Sequence, residues 1–234
     1  MTNIIIANSK SWFELHDSSD QLEGFNFFHV QNQRSLEIAA EQLSPAFIFA
    51  PHWNERIPME LINRVTTVIF HTAPLPFGRG GSPIQNLLKL GYKESPVNAL
   101  LAAQDLDAGP ILCSKNVSLE GNLDDIFSRL NAAVNSLIRQ ILIDRPEPSE
   151  QVGEVTIFRR RRPEDSELNL AKINLEQLYD QIRMVDGLDY PRAYIDVDKY
   201  RLVFANAHIE DSRVVAQVSF EKLENHLKPK SGNS

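Results

Sequence analysis

At 234 residues, the chain has room for one large domain, or for a domain of roughly 150 residues beside a small one. Its 42% apolar and 24% charged residues are those of an ordinary globular protein, and no run approaches the ~18 apolar residues of a membrane span. The formal net charge of −7 argues against a general nucleic-acid binder, which would want a basic surface, so neither nucleic acid nor membrane is expected as a partner.

The first half alternates short apolar runs with helical patterns. IIIA (4–7), FNFFHV (25–30), FIFAP (47–51) and TTVIFH (66–71) read as strands, and RSLEIAAEQL (34–43) sets Leu36, Ala39, Ala40 and Leu43 on one helical face. Strands continuously apolar and separated by helices predict a parallel sheet covered on both sides, an α/β domain of Rossmann type. No GxGxxG follows the first strand, which disfavours a dinucleotide cofactor.

SPIQNLLKLG (82–91) predicts a compact helix, with Ser82 and Gln85 as a capping box, Pro83 at the first turn and Gly91 closing it. A longer helix begins after GNLDD, capped by Asn122, with Ile126, Leu130, Val134, Leu137, Ile138 and Ile141 as its apolar stripe. DRPEPSEQ (144–151) stops that helix. The expected organisation is a domain over 1–150, a small α+β subdomain over 151–226 and a disordered tail over 227–234. The subdomain should hold a strand (155–158), a helix (174–185) and antiparallel strands from 193–207 and 213–220.

The start MTNIIIANSK lacks the basic flank and apolar core of a signal peptide. Cys113, the single cysteine, sits in an apolar run, reads as a buried structural thiol and suits a reducing cytoplasm. The six histidines show no zinc-type pairing with cysteine or acid, and no metal is expected.

The densest chemistry lies in FHTAPLPFGRGGSPIQN (70–86). A lone histidine is more often structural, but His71 closes a predicted parallel strand, where α/β sheets bind ligands, and a rigid Pro-Leu-Pro turn follows it. The glycines after it let backbone N–H groups face an anion, and Arg79 could add a charge-assisted contact; a solvated arginine in a flexible turn is the plainer alternative. A second signal is QDLDAGPIL (104–112), where Asp107 precedes a tight turn and could equally serve only that turn.

Together these stretches resemble the formyltransferases that use 10-formyltetrahydrofolate, a family that includes methionyl-tRNA formyltransferase and the sugar N-formyltransferases. HTAPLPFGRGGSPIQN is similar to their HxSLLPxxRGxxPIQ, LDAGPIL to LDTGxIL, FRRRRPEDSEL (158–168) to a segment with RxPxDS, and IRMVDGLDYPRAYI (182–195) to IRAxDxPxYPAF. The form GRGGSPIQN looks closer to the sugar-modifying branch.

The resemblance implies an abbreviated Rossmann-like catalytic domain and transfer of the formyl group of 10-formyltetrahydrofolate to a primary amine. The expected acceptor is an amino sugar, nucleotide-linked or acidic, of surface polysaccharides. His71 and Asp107 take the family's catalytic histidine and aspartate. The family's asparagine two positions before the histidine is Ile69 here, and the serine of SLLP is Ala73. Asn54, in PHWNERIP, is the preferred stand-in, with His52 and Asn86 as alternatives. Folate contacts are expected from Pro51, His52, Trp53, Leu75, Gln104 and Asp105, and acceptor contacts from Arg79, Asn86 and Arg162. Trp53 offers a stacking platform or plain packing. A formyltetrahydrofolate hydrolase and an inactive folate- or sugar-binding protein stand as alternatives, and a homodimer through the C-terminal unit is possible.

Overall fold

The computed structural model describes residues 1–10, 13, 15, 22–187 and 190–223; the expected tail over 227–234 lies outside them. The described chain divides into two compact units, 1–160 and 161–234.

The first unit is built on a six-stranded sheet. Strands β1 (Thr2–Ala7), β2 (Phe25–Val30), β3 (Phe47–Ala50) and β4 (Thr66–Thr72) are parallel, in the order β2-β1-β3-β4. Two strands that the motif reading passed over, β6 (Glu94–Leu101) and β7 (Ile111–Ser118), extend the sheet antiparallel beyond β4. Between them in sequence lie α1 (Gln33–Leu43), α2 (Met59–Arg64), the two-residue β5 (Arg79–Gly80) and α3 (Pro83–Lys89); α4 (Leu123–Asp144) follows β7. The four apolar runs thus form the parallel strands, as their lack of alternation predicts.

Helices cover the sheet as the patterns require. On one face Leu36 and Ala40 of α1 and Leu61 of α2 close over Ile5, Ala7, Ile48 and Ala50, all buried. Helix α4 packs on β6 and β7, and every residue of its predicted stripe is buried. Its start is the expected one: Asn122 accepts from the Asp125 N–H at 2.9 Å and Asp125 returns the bond.

The predicted capping box at Ser82 does not form. Ser82 sits at φ 51°, in the left-handed region, and makes no side-chain cap bond, while Gln85 is buried. The cause is the preceding turn, which is pulled against β8 (Ile157–Phe158), the partner of β5. A Cβ on Gly80 would lie 2.7 Å from the Phe158 carbonyl oxygen and one on Gly81 would lie 2.7 Å from the Arg160 Cα. Those glycines permit close backbone approach, so the turn is pinned rather than flexible. Gly91, at φ 82°, does follow the helix in the left-handed form.

The same pairing moves the boundary. The proline stop after Asp144 suggested a break near 150, but residues 149–160 lace back onto the first unit through β8 and through Ser149, whose N–H and carbonyl both bond Ile111 at 2.8 Å. The strand expected over 155–158 is only Ile157–Phe158.

In the second unit, α5 (Leu175–Arg183) is capped by Asn174, which accepts from the Gln177 N–H at 2.8 Å. Strands β9 (Tyr194–Val197), β10 (Tyr200–Glu210) and β11 (Arg213–Lys222) make an antiparallel sheet in the order β11-β10-β9. This is the small α+β unit that the alternation predicts. Cys113 departs from expectation: on β7, close to the open edge, it is only partly covered, and burial together with the Asp144 carboxylate pushes its thiol up to about 11.

Candidate active site

Thr67, Ile69 and His71 share one face of β4, since side chains alternate along a strand. His71 ends that row, 6% exposed. Its Nε2 lies 2.8 Å from the Gly78 carbonyl oxygen and its Nδ1 lies 3.3 Å from Asp107 Oδ2. A carbonyl only accepts, so Nε2 bears a proton in this arrangement. Nδ1 can then donate to Asp107 only when the ring carries its second proton. Both ring nitrogens are thus held, one against a carbonyl and one against a carboxylate.

Asp107 reaches His71 by an indirect route. Strand β6 runs antiparallel to β4, so Asn98 lies opposite His71 whereas Leu101 lies opposite Val68, at the far end. The loop 102–110 must run back along the sheet to deliver the aspartate. It does so with Asp107 at φ 52°, a conformation that Asp tolerates better than most residues. Oδ2 also accepts the Gly80 N–H at 2.9 Å. Gly109 makes the return possible, because a Cβ there would fall 1.8 Å from the Leu101 carbonyl oxygen. Asp105, two residues away, is exposed while Asp107 is buried.

His71 and Asp107 stand at one side of a cavity of about 750 Å3, within the range of small-molecule sites. Its apolar lining includes Trp53, Ile57, Met59, Ile62 and Ile69; polar groups come from His52, Asn54, Gln104, Asp105 and Arg160. Ile69 presents a hydrocarbon to the cavity and packs on the core beneath α1 and α2. Trp53 lines the cavity and packs on that core, with its indole Nε1 sealed from solvent and bonded to no described group. His52, at φ 51°, rings against Phe13 at 5.7 Å. Burial and, less, the Lys10 ammonium push its imidazole down to about 4, so it is neutral at pH 7. Asn54 lies exposed at the cavity wall, its N–H donating to Ser9 Oγ at 3.4 Å.

The other expected site residues stand elsewhere. Pro51 is buried and Leu75 half-buried, and neither lines the cavity. The Arg79 guanidinium grips Gln151 Oε1 through Nε (3.1 Å) and Nη2 (2.8 Å) instead of facing the cavity. The Asn86 amide donates to the carbonyls of Gly81, Ser82 and Arg159, so it ties the glycine turn to β8. Arg162 is the second residue of the second unit, its N–H donating to Asp165 Oδ2.

Two contributors escaped the sequence. Asn98 is 3% exposed; its amide donates to the carbonyls of Ala73 (2.6 Å) and His71 (3.3 Å) and accepts from Ser114 Oγ. A polar side chain within the apolar run VNALL was the available signal. Gln151 had none, because it stands in what reads as a linker. Among the described residues, no group of three His, Cys, Asp or Glu side chains could hold a metal ion, and no helix is long and apolar enough to cross a membrane.

Residues 9–145 match the model of the formyl transferase family, and residues 163–221 match that of the methionyl-tRNA formyltransferase C-terminal domain. The chain belongs to the formyl transferase family. A methionyl-tRNA formyltransferase of Campylobacter curvus is 30% identical over 162 residues, 67% of this chain and 54% of the relative. One from Streptococcus pneumoniae is 26% identical over 62% of this chain and 49% of the relative, so the chain spans about half the length of the curated relatives it matches. Among solved structures, a methionyl-tRNA formyltransferase from Clostridium thermocellum superposes with a TM-score of 0.86 at 37% identity, covering 95% of this chain and 100% of the other. A 4-N formyltransferase from Francisella tularensis shares the fold at a TM-score of 0.67 and 15% identity, over 95% of this chain and 98% of the other.

Proposed function

We propose that this protein moves the formyl group of 10-formyltetrahydrofolate to a primary amine at the His71–Asp107 pair. The observation that carries the reading is the pair itself, 3.3 Å apart and buried beside a cavity of about 750 Å3, in a chain of the formyl transferase family. The apolar lining from Trp53, Ile57, Met59, Ile62 and Ile69 suits the flat ring system of a folate, and the cavity has the volume for one small ligand of that size. His52, neutral at pH 7, adds no charge beside Trp53.

In the transfer, the amine nitrogen forms a bond to the formyl carbon and the carbonyl oxygen becomes an oxyanion. The bond from that carbon to the folate nitrogen then breaks, and the folate nitrogen takes a proton. The chain's part is electrostatic and proton-handling. When protonated, the His71 ring supplies positive charge beside the developing oxyanion, and such preorganised charge is often the largest catalytic contribution. Asp107 holds the ring in place and takes up the proton that the amine loses, and His71 gives the leaving nitrogen its Nε2 proton by turning that N–H away from the Gly78 carbonyl.

The acceptor in this reading is an amino sugar. The net charge of −7 favours a small acceptor over a polyanion, and the Francisella neighbour shows the fold serving a 4-N formyltransferase. A second reading, an aminoacylated tRNA, is favoured by the 37% identity to the Clostridium methionyl-tRNA formyltransferase.

The test is tetrahydrofolate release from 10-formyltetrahydrofolate, with a panel of amino sugars, methionyl-tRNA and amine-free controls, in wild type and His71→Ala. Release that needs an amino sugar and disappears in the variant is expected. Release with methionyl-tRNA alone selects the second reading, and release without any amine would make the protein a hydrolase. Folate binding with no turnover on any acceptor would overturn the catalytic reading in favour of a binding protein.

A further inference from the structure

We infer that Gln151 is a positioning residue for the His71–Asp107 pair, acting as a buckle between the two loops that build it. The inference rests on the formyl-transfer reading for its kinetic consequence and on geometry alone for its structural one.

A primary amide offers two donor hydrogens and one oxygen with two lone pairs. Gln151 uses all of them. Its Oε1 accepts from Arg79 Nε at 3.1 Å and Nη2 at 2.8 Å; its Nε2 donates to the Asp107 carbonyl at 2.8 Å and the Gly109 carbonyl at 2.8 Å. Next to Arg79, the Gly80 N–H donates to Asp107 Oδ2. The contacts close a circuit: from the Asp107 carboxylate to Gly80, along the chain to Arg79, across the guanidinium to Gln151, and back to the Asp107 carbonyl. A carboxylate held at its side chain and at its own carbonyl has little freedom to leave His71 Nδ1.

The segment that carries Gln151 is anchored on both sides. Ser149 exchanges two backbone bonds with Ile111, just past the Asp107 turn. Thr156 donates to the Pro76 carbonyl at 3.2 Å, and its own carbonyl accepts from Gly78 and Arg79 at 3.0 Å each. Gly78 supplies the carbonyl that holds His71 Nε2. Residues 149–158 therefore run as a strap from the aspartate loop to the histidine loop, with Gln151 as its one polar side chain that grips both. Asparagine is a methylene too short for that span, and glutamate can meet Arg79 but cannot donate to two carbonyls.

The experiment uses the full chain with Gln151→Leu and Gln151→Glu. Two readouts are taken: kcat and KM for amine-dependent tetrahydrofolate release, and the imidazole 15N shifts of His71 by two-bond correlation NMR on protein without substrate. The expected result is a roughly ten- to hundredfold lower kcat, KM for the folate within about twofold, and displaced His71 nitrogen shifts. Should Gln151→Leu fail to fold, Arg79→Lys, which keeps the charge and loses the fork, carries the same readouts. His71 shifts unchanged in folded variants would overturn the inference, as would a kcat within about twofold of wild type. If wild type transfers no formyl group to any amine, the functional reading falls while the nitrogen shifts still decide the buckle.

Discussion

Asp107→Asn separates charge from shape at the proposed centre. Oδ2 makes both contacts, accepting the Gly80 N–H at 2.9 Å and facing His71 Nδ1 at 3.3 Å, so a single amide atom must take its place. As the oxygen it keeps the Gly80 bond and offers Nδ1 an uncharged acceptor; as the NH2 it can donate to Nδ1 of a ring whose Nε2–H stays with the Gly78 carbonyl, but it loses the Gly80 bond. The change conserves shape, so the variant should fold, with one of the two contacts weakened. What it loses is the partner of the protonated ring, with both groups nearly buried at side-chain exposures of 6% and 10%. A charge-assisted hydrogen bond contributes about 1.5–3 kcal/mol. If that stabilisation appears mainly in the transition state, kcat should fall roughly ten- to hundredfold. Steady-state tetrahydrofolate release at saturating amine measures kcat, and a thermal melt checks the fold. A kcat within about threefold of wild type, with His71→Ala inactive, would refute the ion-pair reasoning and leave His71 to act without its carboxylate.

His52→Asn tests the buried imidazole while tolerating the positive φ. Because the folded pKa is depressed from 6.5 to about 4, His52 adds stability above pH 6.5 that is lost as pH falls towards 4, up to about 3 kcal/mol; melts between pH 7 and 4 should be flatter in the variant, and parallel curves would refute this. Gly109→Ala drives a Cβ to 1.8 Å from the Leu101 carbonyl oxygen; denaturant unfolding should show a loss of about 1–3 kcal/mol, and a variant as stable and active as wild type would mean the loop has other routes past β6. Cys113, with its thiol at about 11, is about one-thousandth thiolate at pH 8; Ellman's reagent should label folded protein slowly and denatured protein promptly, and equal rates would contradict the burial. Self-association, proposed through the sheet of the second unit, where Val218 and Phe220 are 42% and 70% exposed, predicts a dimer by light scattering that Phe220→Glu disperses; a monomer at all concentrations would exclude it.

What the sequence discloses and what it conceals divide by the range of the interaction. Continuous apolar runs, the α4 stripe and the Asn122 cap are local patterns, and each reads correctly because a strand, a helix face or a cap needs only its own neighbours. His71 and Asp107 stood out by motif, and the fold brings them within 3.3 Å. The misreadings share a different cause. Ser82 and Gln85 satisfy the local capping pattern, yet the turn before them is held by β8, more than seventy residues away, and the tertiary constraint wins. Arg79 looked like an anion ligand because its only visible context was a glycine turn; its actual partner, Gln151, lies in a stretch that prolines mark as a linker. Even the glycines mean something other than freedom: at Gly80, Gly81 and Gly109 a Cβ would strike another segment's backbone. These residues pin the loops of the proposed centre, so the stretch that reads as most flexible is tied down by the strap that reads as most dispensable. Rigidity at this site is thus supplied from outside the motifs, and substitutions there should cost turnover before they cost folate affinity.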